Sequence, residues 1–311
     1  MKLSTNDSIK TIDIMKKLNV LMLSLAMMLL ASCGASYTVP ITGRKHSLSS
    51  EDGQLPSLAA TEYQKYITGG KLSTDVQATQ MVKRVGQRLA NAVDQYLRAN
   101  GYTAEANTYQ WEFNLLADKE QNAFCMPGGK IAVYEGLLAV TQDESSLAIV
   151  MGHEIAHAVA KHSSEQMAKK TNASVGTQIF GAAASAFGLG AVGDLATTAL
   201  SYGAYFTNLH GSRKNESEAD YMGLIFAAMA GYDPNVAVTF WQRMAAQGGS
   251  TTASFLSTHP SDAQRIADIK KHLPEALKYY NPNGQPATNT GTTTKGSKKQ
   301  RTQTVGTIRI K

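Results

Sequence analysis

Two histidines and a glutamate fall within one five-residue stretch of this chain, His153-Glu154-Ile155-Ala156-His157. A helix turns about 100° per residue, so histidines four apart share one face at neighbouring levels. Two imidazoles held that way can bind one Zn²⁺, and the glutamate beside them can take a proton from a metal-activated water. The chemistry on offer is hydrolysis. It needs a third protein ligand and an open fourth position. A metzincin would carry Gly and His farther on; Ala160 and Ser163 stand there instead, which excludes that class. The better source is Asn215-Glu216-Ser217-Glu218-Ala219-Asp220. Glu216 and Asp220 are four apart at the start of a second helix. One carboxylate can bind the metal, and the other can accept the free ring N–H of a zinc histidine and fix its tautomer. Glu218, between them, reads as a solvated acid of the first turn.

The elements that must position these groups are legible in the pattern. Thr141-x-x-Glu144 reads as a capping box, followed by Leu147, Ile149, Val150, Met151, Ile155, Ala158 and Val159. The motif therefore sits on a long, largely buried helix, roughly 142 to 169, and a buried polar pair needs partners. On a continuous helix His162 lies about 140° round from His157, a structural position. Helices are expected at about 51–67 and 75–99, the second carrying Val76, Val82, Val85, Leu89 and Val93 at near-helical spacing. Residues 111–115, 122–126 and 130–134 read as strands, the last two joined by Pro127-Gly128-Gly129. Gly136 and its successors lead into the zinc helix. The second site helix runs to about Ala230 and stops at Gly231. Asp233-Pro234 starts a helix to about Ala246, and Pro260-Ser261 starts another, with Ser261-x-x-Gln264 as its capping box. The Ala- and Gly-rich stretch from Thr171 to Thr207 reads as packed helices or a flap bordering the cleft, with a hairpin dipping into a membrane surface as the alternative.

With these residues in view, the chain resembles the gluzincin metallopeptidases of the HtpX and CAAX-prenyl-endopeptidase type, nearest to the BepA- and LoiP-like bacterial members and the Oma-like mitochondrial ones. Three blocks carry the likeness: Asn122 to Phe124 through Pro127 to Ile131; His153 to His157; and Ser212 to Asp220. Val39-Pro40-Ile41-Thr42-Gly43-Arg44 and Thr258-His259-Pro260 also fit, so the likeness spans most of residues 39 to 273. It implies an α+β fold, a mostly helical gluzincin domain with a small mixed or antiparallel sheet beside the zinc helix. It implies one Zn²⁺ per chain on His153, His157 and Glu216, with Asp220 behind them and Glu154 as the base. Glu154 would take a proton from the attacking water and give it to the leaving amine. The strand at Asn122, Ala123 and Phe124 would be the edge that pairs with extended substrate. Cys125 departs from the family pattern and reads as a buried apolar residue. A second oxyanion donor is sought among Arg213, His259 and Tyr202. His259 is either a cap near a helix start or a group that approaches the zinc, as donor or as inhibitory fourth ligand. His46, His210 and His272 carry no pattern.

Leu18 to Ala31 is an apolar run behind Lys16 and Lys17, a signal-peptide core ending in the lipobox Leu30-Ala31-Ser32-Cys33. Residues 1–14 are polar for such a leader, which places the true start at Met15. With Cys33 lipidated, Cys125 has no partner for a disulfide. The expectation is a lipid-anchored protein of the bacterial envelope, facing the periplasm from the outer membrane. Residues 1–32 form the leader, 33–50 a lipidated tether, 51–280 the peptidase domain and 281–311 a disordered basic tail. Of the net charge of +6, the leader holds +2 and the tail +6, which leaves the folded part at −2. Nucleic acid is thereby a poor partner. The expected substrates are unfolded or misassembled envelope proteins, and the expected role is quality control. A chaperone-like assembly factor that rarely cuts is the other class.

Overall fold

In the computed structural model the described residues are 14–20, 22, 35–172, 212–246, 255–259 and 263–282. The stretch 173–211, Cys33, Tyr202, His210 and the tail from 283 lie outside them. No helix among the described residues is long and apolar enough to cross a membrane.

Near-helical spacing of apolar residues builds the wall of the core. Helix α2, Val76–Ala99, buries Val82, Val85, Leu89, Val93 and Leu97. Asp75 caps it by accepting from the Ala78 N–H at 2.9 Å. Helix α1, Leu55–Gly69, precedes it and buries Leu55, Ala59 and Tyr63. Upstream, strands β1 (Ser36–Thr38) and β2 (Lys45–Ser47) pair antiparallel around the turn that contains Thr42 and Arg44.

Three further strands form a mixed sheet in the order β3–β5–β4: β3 Glu112–Leu116, β4 Ala123–Met126 and β5 Lys130–Tyr134. β3 runs parallel to β5 with Phe113 opposite Ile131; β4 runs antiparallel with Cys125 opposite Ile131. Gly128 and Gly129 join β4 to β5 at φ 81° and 84°, where an L side chain is strained. A Cβ at Gly129 would also lie 2.5 Å from the Trp111 ring. β4 is left at the sheet's edge and packs on the zinc-motif helix.

That helix differs from the sequence expectation at both ends. A short helix α3, Glu135–Thr141, comes first, so Thr141 closes one helix and does not cap the next. Helix α4, Glu144–Val159, is capped by Asp143, whose carboxylate accepts from the Ser146 N–H at 2.7 Å. Its far end is a break. Lys161 takes φ 53°, and a separate helix occupies 162–172. A left-handed lysine costs about 1–2 kcal/mol. Here Lys161 Nζ reaches Asp52 at 2.9 Å and Glu105 at 3.0 Å, which offsets that cost.

Helix α5, Arg213–Met229, crosses α4 closely. Gly152 of α4 meets Gly223 of α5, where either added Cβ would strike the other helix's backbone within 3 Å. Helices α6 (Val236–Ala246) and α7 (Ala263–Ala276) close the far side, and a single turn, Phe255–Thr258, carries His259. The fold is α+β and mostly helical, with its small sheet beside α4. The buried face of α4, all of whose residues from Ser146 to Ala156 are buried, forms the middle of the core.

Candidate metal centre

Helix α4 supplies His153 and His157 one turn apart, and their Nε2 atoms lie 3.0 Å from each other. The α4–α5 crossing brings Glu216 to the same point: Oε2 is 3.4 Å from His153 Nε2, and Oε1 is 3.4 Å from His157 Nε2. Ligands about 2.1 Å from a tetrahedral zinc stand roughly 3.4 Å apart. The distances of 3.0, 3.4 and 3.4 Å, the last two to different Glu216 oxygens, bring the three residues within reach of one such ion. The donor chemistry agrees. His153 Nδ1 lies 2.9 Å from Asp220 Oδ1, and a carboxylate there holds a ring proton on Nδ1, so Nε2 is the nitrogen that could face a metal. Glu216 Oε1 is buried with no hydrogen-bond partner, an orphan that a cation would satisfy.

His259 joins the cluster. Its Nδ1 is 2.7 Å from Glu216 Oε2 and 3.1 Å from His153 Nε2, so four residues offer ligand atoms within 4.8 Å of one another. Of the alternatives open in the sequence, the structure places this histidine at the cluster. Arg213, in the first turn of α5, is exposed. The guanidinium at the centre belongs instead to Arg265 of α7. It grips Asp220 with two bonds of 2.7 and 2.8 Å, donates to the His259 carbonyl at 3.1 Å, and lies 3.4 Å above the Trp241 ring. Nothing local in the sequence marks Arg265, because its partners are 45 and 6 residues away.

Glu154 is 4 % exposed, and its Oε1 also lacks a hydrogen-bond partner. Helix α4, which carries this carboxylate, packs against β4, the edge strand of the sheet. Ala123 alternates with Cys125 on that edge, and its N–H is taken by the Asn122 side chain at 2.9 Å. Phe124 is buried and pairs with Ala132 of β5. Cys125 is a buried free thiol, held protonated by desolvation and by the nearby Glu154 charge.

The titratable groups of the cluster act strongly on one another. Burial would lower His153, but the hydrogen bonds to Asp220 and Glu216 prevail and raise it to about 9. Glu216 moves the other way. Burial would raise it, yet His259 and His157 hold it well below the ordinary carboxylate range. Both shifts reflect the interaction of these imidazoles with buried carboxylates. Burial pushes the Glu154 carboxyl up, against the opposing pull of His259 and His153. Burial lowers His157, against the opposing pull of Glu216.

Two residues read as structural or solvated are at the centre's edge. Glu218 is buried, not solvated. It bonds Arg44 and Thr42 of the β1–β2 turn and lies 3.0 Å from His162. His162 lies 2.8 Å from His157, because the break at Lys161 turns it back toward the motif.

Residues 77–273 match peptidase family M48. The chain is 45 % identical over 169 residues to the mitochondrial metalloendopeptidase OMA1 of Schizosaccharomyces pombe, covering 54 % of this chain and 48 % of that protein. To its namesake from Arabidopsis thaliana it is 38 % identical over 185 residues, 59 % of this chain and 36 % of that one. To the beta-barrel assembly-enhancing protease of Escherichia coli it is 28 % identical over 205 residues, 64 % and 39 % respectively. The chain thus spans less than half the length of these relatives. One expectation is corrected by these names. The sequence led to a lipid-anchored bacterial protein facing the periplasm from the outer membrane, whereas the relatives at 45 % and 38 % identity are named as mitochondrial. A short apolar run behind two lysines does not fix a compartment, and that placement is withdrawn.

Proposed function

The chain belongs to peptidase family M48, and from that premise we propose that it is a zinc-dependent metalloendopeptidase of protein quality control, cutting peptide bonds in unfolded or misassembled proteins. One observation carries the reading. Ligand atoms of His153, His157 and Glu216, from two helices, converge at zinc spacing beside the buried carboxylate of Glu154, on the helix that packs against the edge strand β4.

In this reading His153, His157 and Glu216 hold the ion, and Asp220 with Arg265 fixes the His153 tautomer. An ion held there would supply Lewis-acid polarisation of the scissile carbonyl and a water of pKa roughly 7. Glu154 receives a proton from the attacking water as the C–O bond forms, and passes it to the amide nitrogen as the C–N bond breaks. Extended substrate adds to the outer edge of β4 at Asn122, Ala123 and Phe124, and backbone pairing suits chains without a fixed sequence. Residues 51–280 are the catalytic unit. The named activities of the relatives, two of them metalloendopeptidases and one an assembly-enhancing protease, support this reading.

His259 favours a second reading. A fourth protein ligand closes the corner that a catalytic zinc keeps open, so the chain could hold clients and cut only when His259 leaves. Casein cleavage with and without chelator separates the two. Glu154→Gln is the direct test: the variant keeps stoichiometric zinc and loses cleavage by at least about 100-fold. Undiminished turnover would end the assignment of Glu154 as the base.

A further inference from the structure

The two histidines of the motif are backed differently. Behind His153 stands a carboxylate, Asp220, locked by Arg265. Behind His157 stands another imidazole. His162 Nδ1 is 2.8 Å from His157 Nδ1, and His162 Nε2 is 3.0 Å from Glu218 Oε2. Glu218 is itself held from the β1–β2 turn, where Arg44 Nε donates to Oε2 at 2.6 Å and the Thr42 hydroxyl to Oε1 at 2.6 Å. The two terminal nitrogens of Arg44 grip Glu165 at 3.0 and 2.7 Å. The chain of contacts thus runs from the N-terminal hairpin to the metal-facing ring, and His162, Glu165 and Glu218 are all buried.

Proton counting along it has one solution for neutral rings. A carboxylate bound by a guanidinium only accepts, so the hydrogen between Glu218 and His162 sits on His162 Nε2. A neutral imidazole carries one hydrogen, so His162 Nδ1 is an acceptor. His157 Nδ1 must then donate to it, which leaves His157 Nε2 bare, on the side that faces His153 and Glu216.

We propose that His162, anchored through Glu218 and Arg44, is a positioning residue that fixes His157 in its Nδ1–H tautomer and thereby sets the affinity of the centre for zinc. The hairpin at 36–47 is by the same chain part of the metal site's support. The effect on zinc rests on the reading given above; the tautomer does not.

The test uses the full chain with ¹⁵N-labelled histidine. Long-range ¹H–¹⁵N spectra of the zinc-free protein read the His157 tautomer, and competition with a chromophoric chelator reads Zn²⁺ affinity. Wild type should show His157 as Nδ1–H. His162→Ala should mix the tautomers and weaken Zn²⁺ binding about 10–100-fold. His162→Gln, whose amide can accept from His157 and donate to Glu218, should restore affinity to within a few-fold. A wild-type His157 protonated on Nε2 overturns the proposal. So does an Ala variant that binds Zn²⁺ within twofold of wild type, or a Gln variant no better than Ala. If the Ala variant does not fold, the wild-type spectrum and the Gln variant decide. If wild type binds no Zn²⁺, the metalloenzyme reading fails, and the tautomer spectra still decide the relay.

Discussion

The crossing of α4 and α5 at Gly152 and Gly223 brings Glu216 to the two motif histidines, the three proposed metal ligands, and Gly223→Ala tests that role with opposing effects that can be separated. A Cβ at position 223 would stand 2.7 Å from the His153 backbone nitrogen and 2.9 Å from both Gly152 C and His153 Cα. These are backbone atoms and cannot rotate aside. Reaching ordinary contact at 3.4 Å requires the helices to part by about 0.7 Å. His153 sits on one side of that seam. On the other, Asp220 is about one turn and Glu216 about two turns, roughly 10 Å, back along α5. Metal sites tolerate distance errors of about 0.2 Å, so a rigid separation of this size spoils the three-ligand geometry. Stability responds less. Overpacking costs about 1–3 kcal/mol, and the helix propensity of alanine over glycine returns about 1 kcal/mol. The expected net loss is about 0–2 kcal/mol, a melting shift of at most about 8 °C. Zinc affinity by chelator competition should fall at least about 10-fold, and cleavage with it, while the zinc-free protein stays folded. A Gly223→Ala protein that binds zinc as wild type does would refute the idea that this contact positions Glu216.

Three further perturbations address separate parts of the site. Arg265→Ala leaves the buried Asp220 carboxylate without its guanidinium and should cost about 3–5 kcal/mol in denaturant unfolding, together with weaker zinc binding; a loss under 1 kcal/mol would show the pair to be dispensable. His259→Ala opens the fourth corner, so the visible spectrum of the cobalt-substituted protein should change and casein cleavage should rise; an unaltered spectrum would remove His259 from the coordination sphere. Burial would raise Glu165, but its bonds to Arg44 and Lys169 prevail and hold it at about 2, against 4.5 unperturbed. A lowered carboxylate stabilises the fold above pH 4.5 and loses that contribution as pH falls toward 2, so Glu165→Gln should flatten acid unfolding over that window. The full shift is worth about 3 kcal/mol, and screening beside the half-exposed Lys169 reduces it to about half; unchanged acid sensitivity would contradict the pairing.

What could be read from the sequence, and what could not, divides by the range of the interactions involved. Periodicity placed α2 and the three strands to within a few residues, because burial of one face is a local pattern. The motif histidines, Glu216 and Asp220 were legible because each pair is four apart on its own helix. His259 was legible only as a question, and the packing of its short turn against α4 answers it. Glu218, His162 and Arg265 escaped for one physical reason. Each acts through a partner at least 40 residues away, so helical phase alone misassigns it. His162 is the sharpest case. An unbroken helix turns it away from His157, and lysine has no propensity for the left-handed turn that brings it back. The ion pairs of Lys161 with Asp52 and Glu105, more than 50 residues upstream, stabilise that turn, and the Tyr37 ring lies 5.0 Å from the same ammonium. The backbone sign at residue 161 is therefore decided by tertiary electrostatics. The orientation of a histidine behind the metal centre follows from it.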